Sequence, residues 1–235
     1  MGEFWDERAK EDAFFFVDNR LAYRNPDVER FWADGEADLR KLLELAGVAI
    51  QPDDAIVDVG CGLGRLTRAA KSFGAGSVHA IDVSSEMLAR AGEHNAALEE
   101  VTWVQGDGTS LAGIPDGMAD GLVSHVVFQH IPDPRVTLGY VEEMGRVLKP
   151  GGWAAFQVSN DPTVHSPPRG LRNVRNRIRA AARLAPRGQA HPDWCGSYVD
   201  VEDLRAAADD GDMDIERLVG ERTQYCVALT RKRAA

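Results

Sequence analysis

Apolar positions follow two regimes along the chain. Up to residue 50 they recur with a helical period. Leu39, Leu42, Leu43 and Ala46 take the i, i+3, i+4, i+7 spacing of a core-facing helix, and Gly47 stops it. Phe4, Trp5, Phe14, Phe15, Phe16, Phe31 and Trp32 anchor this region, with Phe14 to Phe16 and Trp32 read as core. From residue 55, short apolar runs alternate with helix-period segments. Residues 55–59, 77–83, 101–105, 121–128 and 152–159 read as buried strands, and 64–74, 84–99 and 133–148 as helices between them. Ser84 is the N-cap of the second helix, with Met87, Leu88, Ala91 and Leu98 along one side. Strand and helix alternating at this spacing predict an α/β fold with a parallel, doubly wound sheet. Residues 160–199 break the rhythm with five prolines and many arginines, and read as an insertion. A helix near 200–210 and strands at 213–219 and 223–230 close the chain. The expected organisation is an N-terminal helical cap over 1–50, then one domain over 51–235 that carries the insertion.

Composition narrows this picture. A chain of 235 residues, 44% hydrophobic and 27% charged, is an ordinary globular protein. Its formal net charge of −10 repels nucleic acid and anionic lipid unless basic residues cluster locally. Cys61, Cys195 and Cys226 are too few, and odd in number, for a disulfide framework. No apolar run is long enough to span a membrane, and the mixed-charge start lacks the apolar core of a secretory signal. The expectation is a cytoplasmic protein; oligomeric state is left open. No cysteine or histidine stands at metal-ligand spacing, so no metal is expected.

The chemistry concentrates at Asp58-Val59-Gly60-Cys61-Gly62-Leu63-Gly64-Arg65, between the first strand and its helix. Glycines there let the backbone turn tightly and approach a ligand closely, at the strand ends where open α/β sheets bind ligands. The spacing is G-x-G-x-G, whereas dinucleotide turns run G-x-G-x-x-G. Asp58, two residues before the first glycine, would repel a pyrophosphate and suits a ligand carrying positive charge. Asp82 ends the second strand, where a carboxylate takes ribose hydroxyls, and Asp107 follows the third, where it can accept from an adenine amino group.

This constellation resembles the class I S-adenosylmethionine-dependent methyltransferases of the small-molecule, type-11/25-like group. The matching strings are Asp58 to Gly64, Asp82, Gly106-Asp107-Gly108, the segment from Ser124 to Asp133, and Val147 to Gly152. The resemblance covers roughly residues 50 to 160. It implies a Rossmann-like seven-stranded sheet of order 3-2-1-4-5-7-6, last strand antiparallel, with S-adenosylmethionine as cofactor. By the same resemblance Asp58, Gly60, Gly62 and Gly64 hold the methionine moiety, and Asp82 with Val83 and Met87 the ribose side. Asp107 and Gly108 hold the adenine. The loop after the fourth strand is where the family places groups near the methyl, which makes His125 and His130 candidate general bases. His125 is also a candidate cofactor contact. A packing role stands beside the catalytic one for each histidine. The N-terminal aromatics, with Arg20, Tyr23 and Arg24, read as a helical cover over the cofactor, Tyr23 closing on it.

The acceptor is less determined. The tetrapeptide of base and glutamine methylases is missing after the fourth strand, and Asn160-Asp161-Pro162-Thr163 follows the fifth, where it reads as a turn. Nucleic acid and integral membrane partners are therefore not expected. Between Arg169 and Arg187 lie seven arginines and no acid. Leu171, Val174, Ile178, Ala181 and Ala185 form an apolar stripe, with Arg172, Arg175, Arg179 and Arg183 parallel to it. Three readings stand: a lid helix selecting an acidic acceptor, a solvated face, or a membrane-surface helix. The function read here is methyl transfer to a small acceptor, anionic if that helix reaches it. A catalytically inactive cofactor-binding scaffold and an NAD-dependent oxidoreductase are the alternatives.

Overall fold

The computed structural model describes residues 1–166, 180, 182 and 184–234. Seven strands form one sheet in the order β3-β2-β1-β4-β5-β7-β6. They are β1 (Ala55–Val59), β2 (Ser77–Asp82), β3 (Val101–Gln105), β4 (Ala119–Ser124), β5 (Leu148–Val158), β6 (Met213–Val219) and β7 (Cys226–Lys232). β1 to β5 pair in parallel, and β7 lies antiparallel between β5 and β6. The described helices are α1 (Gly2–Val17), α2 (Val28–Ala46), α3 (Arg65–Ser72), α4 (Ser85–His94), α5 (Pro134–Val147), α6 (Pro192–Cys195) and α7 (Val201–Asp210).

Side-chain alternation along the strands builds the two faces. Ile56, Val78, Val123, Trp153 and Ala155 meet Leu39, Leu42 and Leu43 of α2 and Leu66 and Ala69 of α3. Val57, Val59, Leu122 and Phe156 meet Tyr140, Val141 and Met144 of α5 and Leu204 and Ala207 of α7. α2 thus covers the sheet, while α1 packs on α4 through Ala9, Ala13 and Met87, with Leu63 of the glycine turn between them. α1 is kinked at Asp12. Three helices start on the caps their sequences offer: Asp27 accepts from Arg30 N, Ser84 from Met87 N, and Asp133 from Arg135 N ahead of Pro134.

Three expected elements differ from the structure at one end, each for a local reason. The fourth strand stops at Ser124 instead of running to 128. Its pairing with β5 ends there, and the chain turns through Val126 at φ 60° into a single 3-10 turn, Phe128–His130. A β-branched residue in the left-handed region is strained, and this one lies in the wall of the cavity described below. α4 stops at His94 instead of 99, because the Asn95 amide donates to the carbonyls of Ala91 and Leu63 and draws the chain onto the glycine turn. The last strand begins at Cys226, three residues late, since Thr223 and Gln224 close the hairpin turn after Gly220. Of the arginine stretch, Arg169, Arg172, Arg175, Arg177, Arg179 and Arg183 lie outside the described residues. Arg187 lies within them.

Candidate active site

A cavity of about 770 Å³ opens at the carboxyl ends of β1, β2 and β4, roofed by α1 and walled by α6. Its size is that of a small-molecule site. It has two ends, one around the glycine turn and one among aromatic rings.

At the first end Gly60 and Gly62 line the cavity, while Gly64 lies outside its wall against Trp103 and Asn95; all three have positive φ, 73°, 54° and 80°. A Cβ on Gly60 would stand 2.3 Å from a Val127 methyl, so the close approach of the two loops needs glycine. Asp82 accepts from Gly62 N at 2.8 Å and Ser84 N at 2.9 Å, which ties the end of β2 to the turn. Asp58 is buried and accepts from Thr67 Oγ1 at 2.7 Å. Burial pushes the Asp58 carboxyl up to about 6, with the Asp82 charge adding to the rise and Thr67 and Arg65 opposing it. Burial raises Asp82 too. These two carboxyls face the cavity with less compensating charge than carboxylates need, so a cationic ligand fits beside them. Val83, Met87 and Gly108 complete this end. Cys61 is buried with its thiol pushed well above the usual range by burial, and is inert.

Asp107 is placed differently. Its carboxylate is exposed and turned onto Thr109 and Ser110, outside the cavity wall, while its neighbours Gly106 and Gly108 line it. Tyr23 also lies off the cavity, donating to Glu11 Oε1 at 2.7 Å. Phe15 and Phe16 are buried as expected of core, though Phe16 also lines the cavity.

Both histidines line the cavity, and their hydrogen bonds differ. His125 Nδ1 is 3.3 Å from Arg65 Nη2, a group that only donates, so Nδ1 accepts and Nε2 carries the proton. His130 Nδ1 is 2.9 Å from the Trp194 carbonyl, which only accepts, so Nδ1 carries the proton and Nε2 the lone pair. Burial depresses both rings to about 4, aided at His125 by the Arg65 guanidinium and at His130 by His165.

Several pairings of the site went unread in the sequence, although Trp5 and Arg20 were expected in the cover over the cofactor. Trp5 stands edge-on to His130, and Trp194 lies tilted over it at 5.3 Å between centroids. Arg20 clasps Asp18 (2.6 Å) and Asp38 (2.7 Å), and Asp38 in turn pairs with the buried Arg65, linking the α1–α2 connection to α3 and His125. Gln129 and Gln157 form a buried polar floor. No signal short of the fold marks these pairings, because their members are far apart in sequence. Among the described residues no cluster of His, Cys, Asp or Glu could hold a metal, and no helix is long and apolar enough to cross a membrane.

Comparison with known proteins agrees with this architecture. Residues 57–156 match the family model for a methyltransferase domain. The chain is 28% identical over 204 residues to the ubiquinone biosynthesis O-methyltransferase of Paraburkholderia phytofirmans, covering 77% of this chain and 81% of that protein. It is 30% identical over 145 residues to the protein of the same name from Burkholderia pseudomallei, covering 57% and 60%. An S-adenosylmethionine dependent methyltransferase from Mesorhizobium loti superposes with a TM-score of 0.60 at 20% identity, over 83% of this chain and 96% of that one. One from Aquifex aeolicus gives 0.52 at 20% identity, over 84% and 88%. These two structures share the fold.

Proposed function

The chain belongs to the class I S-adenosylmethionine-dependent methyltransferases, and we propose from that premise that it methylates a hydroxyl group on a small, aromatic acceptor. The cofactor is S-adenosylmethionine. The first end of the cavity fits it: a glycine turn packed closely enough on Val127 that Gly60 admits no Cβ, and two carboxyls, Asp58 and Asp82, that burial raises and that want a positive partner. Asp58 with Gly60 and Gly62 would hold the methionine part, Gly64 serving the turn behind them, and Asp82, Val83 and Met87 the ribose side. Gly108 would meet the adenine, with Asp107 outside the contact. When bound, the cofactor supplies a methyl carbon made electrophilic by its sulfonium. α1 then serves as the cap that excludes water over it, and α6 as the outer wall.

The observation that carries the acceptor reading is His130 packed against the rings of Trp5 and Trp194, its Nδ1–H committed and its Nε2 lone pair met only by the long, 3.4 Å contact from Gln129 Nε2. A planar acceptor lies against those rings, and its hydroxyl donates to Nε2, which aims an oxygen lone pair away from the ring. An imidazole near 4 is a weak base. It suffices when the proton leaves late, because an oxygen that has gained a carbon is a strong acid. His125 has no lone pair to offer at Nε2, so its part is to hold the Arg65 guanidinium and the cavity wall. Curated relatives named as O-methyltransferases support the oxygen as the atom methylated. An acidic substituent on the acceptor is the part of this reading that rests on the arginine run alone.

The test is production of S-adenosylhomocysteine from S-adenosylmethionine against a panel of phenols, catechols, aromatic amines and carboxylates of similar size. Turnover confined to hydroxylated rings is expected. Preference for carboxylates or amines without a hydroxyl would overturn the acceptor class. Silence on every member, with tight S-adenosylhomocysteine binding, would favour a scaffold.

A further inference from the structure

The floor of the aromatic end is a chain of side-chain amides that the reading above does not use. Gln157, in β5 and 2% exposed, donates from Nε2 to Gln129 Oε1 at 3.0 Å and to the Gln224 carbonyl at 3.1 Å. A backbone carbonyl can only accept, so Gln224 decides which end of the Gln157 amide faces it. Gln129 must then turn Oε1 to Gln157, which leaves its Nε2 toward His130, 3.4 Å from the ring Nε2. At the other edge of the ring the Trp194 carbonyl requires a proton on Nδ1. Two carbonyls from unrelated segments, the β6–β7 turn and α6, therefore impose the same donor order along Gln157, Gln129 and His130. Both glutamines are buried and line the cavity, where an amide with the wrong end presented would leave polar atoms unpaired.

We propose that Gln157 and Gln129 are positioning residues, an amide relay that holds His130 as the Nδ1–H tautomer with its lone pair on Nε2. This rests on the reading of His130 as the acceptor's base and extends it to two residues that act on the acceptor through that ring. The contact between Gln129 Nε2 and the ring is long enough for an acceptor hydroxyl to displace it. His130 meets no carboxylate among its described contacts. Its titratable neighbour is His165, whose Nδ1 donates to the Cys195 carbonyl and whose Nε2 accepts from Ser159. On α6 the Cys195 thiol is raised by burial, and Asp193 is paired with the Met1 ammonium and His191. α1 presents the uncharged Trp5 ring. The relay is thus the part of the surroundings that can invert the ring's proton preference.

A carboxylate at 157 reverses the chain. Once ionised, Gln157→Glu has no hydrogen for Gln129 Oε1, so Gln129 turns its Nε2 to the new carboxylate and its Oε1 to the ring, which then gains by a proton on Nε2. Long-range 1H–15N spectra of the full, 15N-labelled chain without cofactor or acceptor read tautomer and titration directly. The wild type should show His130 protonated on Nδ1 alone at neutral pH. In Gln157→Glu the ring should titrate at roughly 6 or above instead of about 4. Adding Gln129→Leu to that variant should remove most of the change. Gln129→Leu by itself should shift the Nε2 resonance and spare Nδ1, and this serves if the carboxylate variant fails to fold. A wild-type ring protonated on Nε2 overturns the proposal. So does an equal change with and without Gln129, or an Nε2 signal indifferent to its loss. None of these spectra involves methyl transfer, so the relay and the acceptor class fail or stand separately.

Discussion

Asp58 has a cost in the empty protein and a use in the loaded one. Its carboxyl titrates near 6, well above its value in an unfolded chain, so ionising it opposes folding. That cost is absent at pH values below the unfolded pKa and fully present above the folded one. Asp58→Asn removes it and keeps an acceptor for Thr67. The variant should gain about 2–3 kcal/mol at pH 7, visible as a higher Tm, and the gain should vanish as pH falls through the window from about 6. The same change should weaken binding of S-adenosylhomocysteine, whose ammonium favours the ionised acid. Wild-type binding should therefore strengthen as pH rises through 6 and release protons, which calorimetry in two buffers of different ionisation heat would detect. For His130 the expected outcome concerns rate. His130→Ala should lower turnover on the accepted substrate by about 10²–10⁴ with cofactor affinity unchanged. With wild-type protein the acid limb should fall near pH 4, where the ring protonates, instead of near 6.5.

At the scale of elements, α1 packs on the cofactor end through Ala9 and Ala13 and is also hydrogen-bonded to it by a residue at the start of another helix. Asp6 accepts from Ser84 Oγ and from Glu86 N, at the start of α4. Burial would raise it, but these hydrogen bonds outweigh burial and hold it below the usual carboxylate range. Asp6→Ala should cost about 1 kcal/mol, as loss of a cap does, and should appear as faster hydrogen exchange across α1. The elements that form this frame were largely readable beforehand. β1, β3 and β6 begin and end where expected, since each is bounded by turn residues, although only β1 is largely buried and β3 and β6 are the sheet's edge strands. The end of β4 was not, because Val126, Val127 and Phe128 continue an apolar run although the chain has already left the sheet. Gly60, Gly62, Asp58 and Asp82 could be placed at the cavity because they sit at or just beyond strand ends, whereas Gly64 starts α3 and lies outside the wall. Asp107 could not, since Thr109 and Ser110 offer its carboxylate closer partners than the cavity does. The Arg20–Asp18–Asp38–Arg65 cluster and the Gln129–Gln157 floor join segments far apart in sequence, and only the packed structure brings them together.

For the molecule as a whole, one cavity couples a cationic-ligand end to an aromatic end beneath α1. The ligand that fits the first end must stabilise the entire fold by mass action, by about 2.7 kcal/mol at a hundredfold excess over Kd. Glycine turn, strand-end acids and cap all contribute to that single number. Calorimetric titration of S-adenosylhomocysteine into the full chain, with NADH in a parallel cell, is the most direct measurement. One-site binding of S-adenosylhomocysteine, lost in Asp82→Ala and accompanied by no heat from NADH, is the predicted result. Heat from NADH with none from S-adenosylhomocysteine, or binding indifferent to Asp82, would contradict the account.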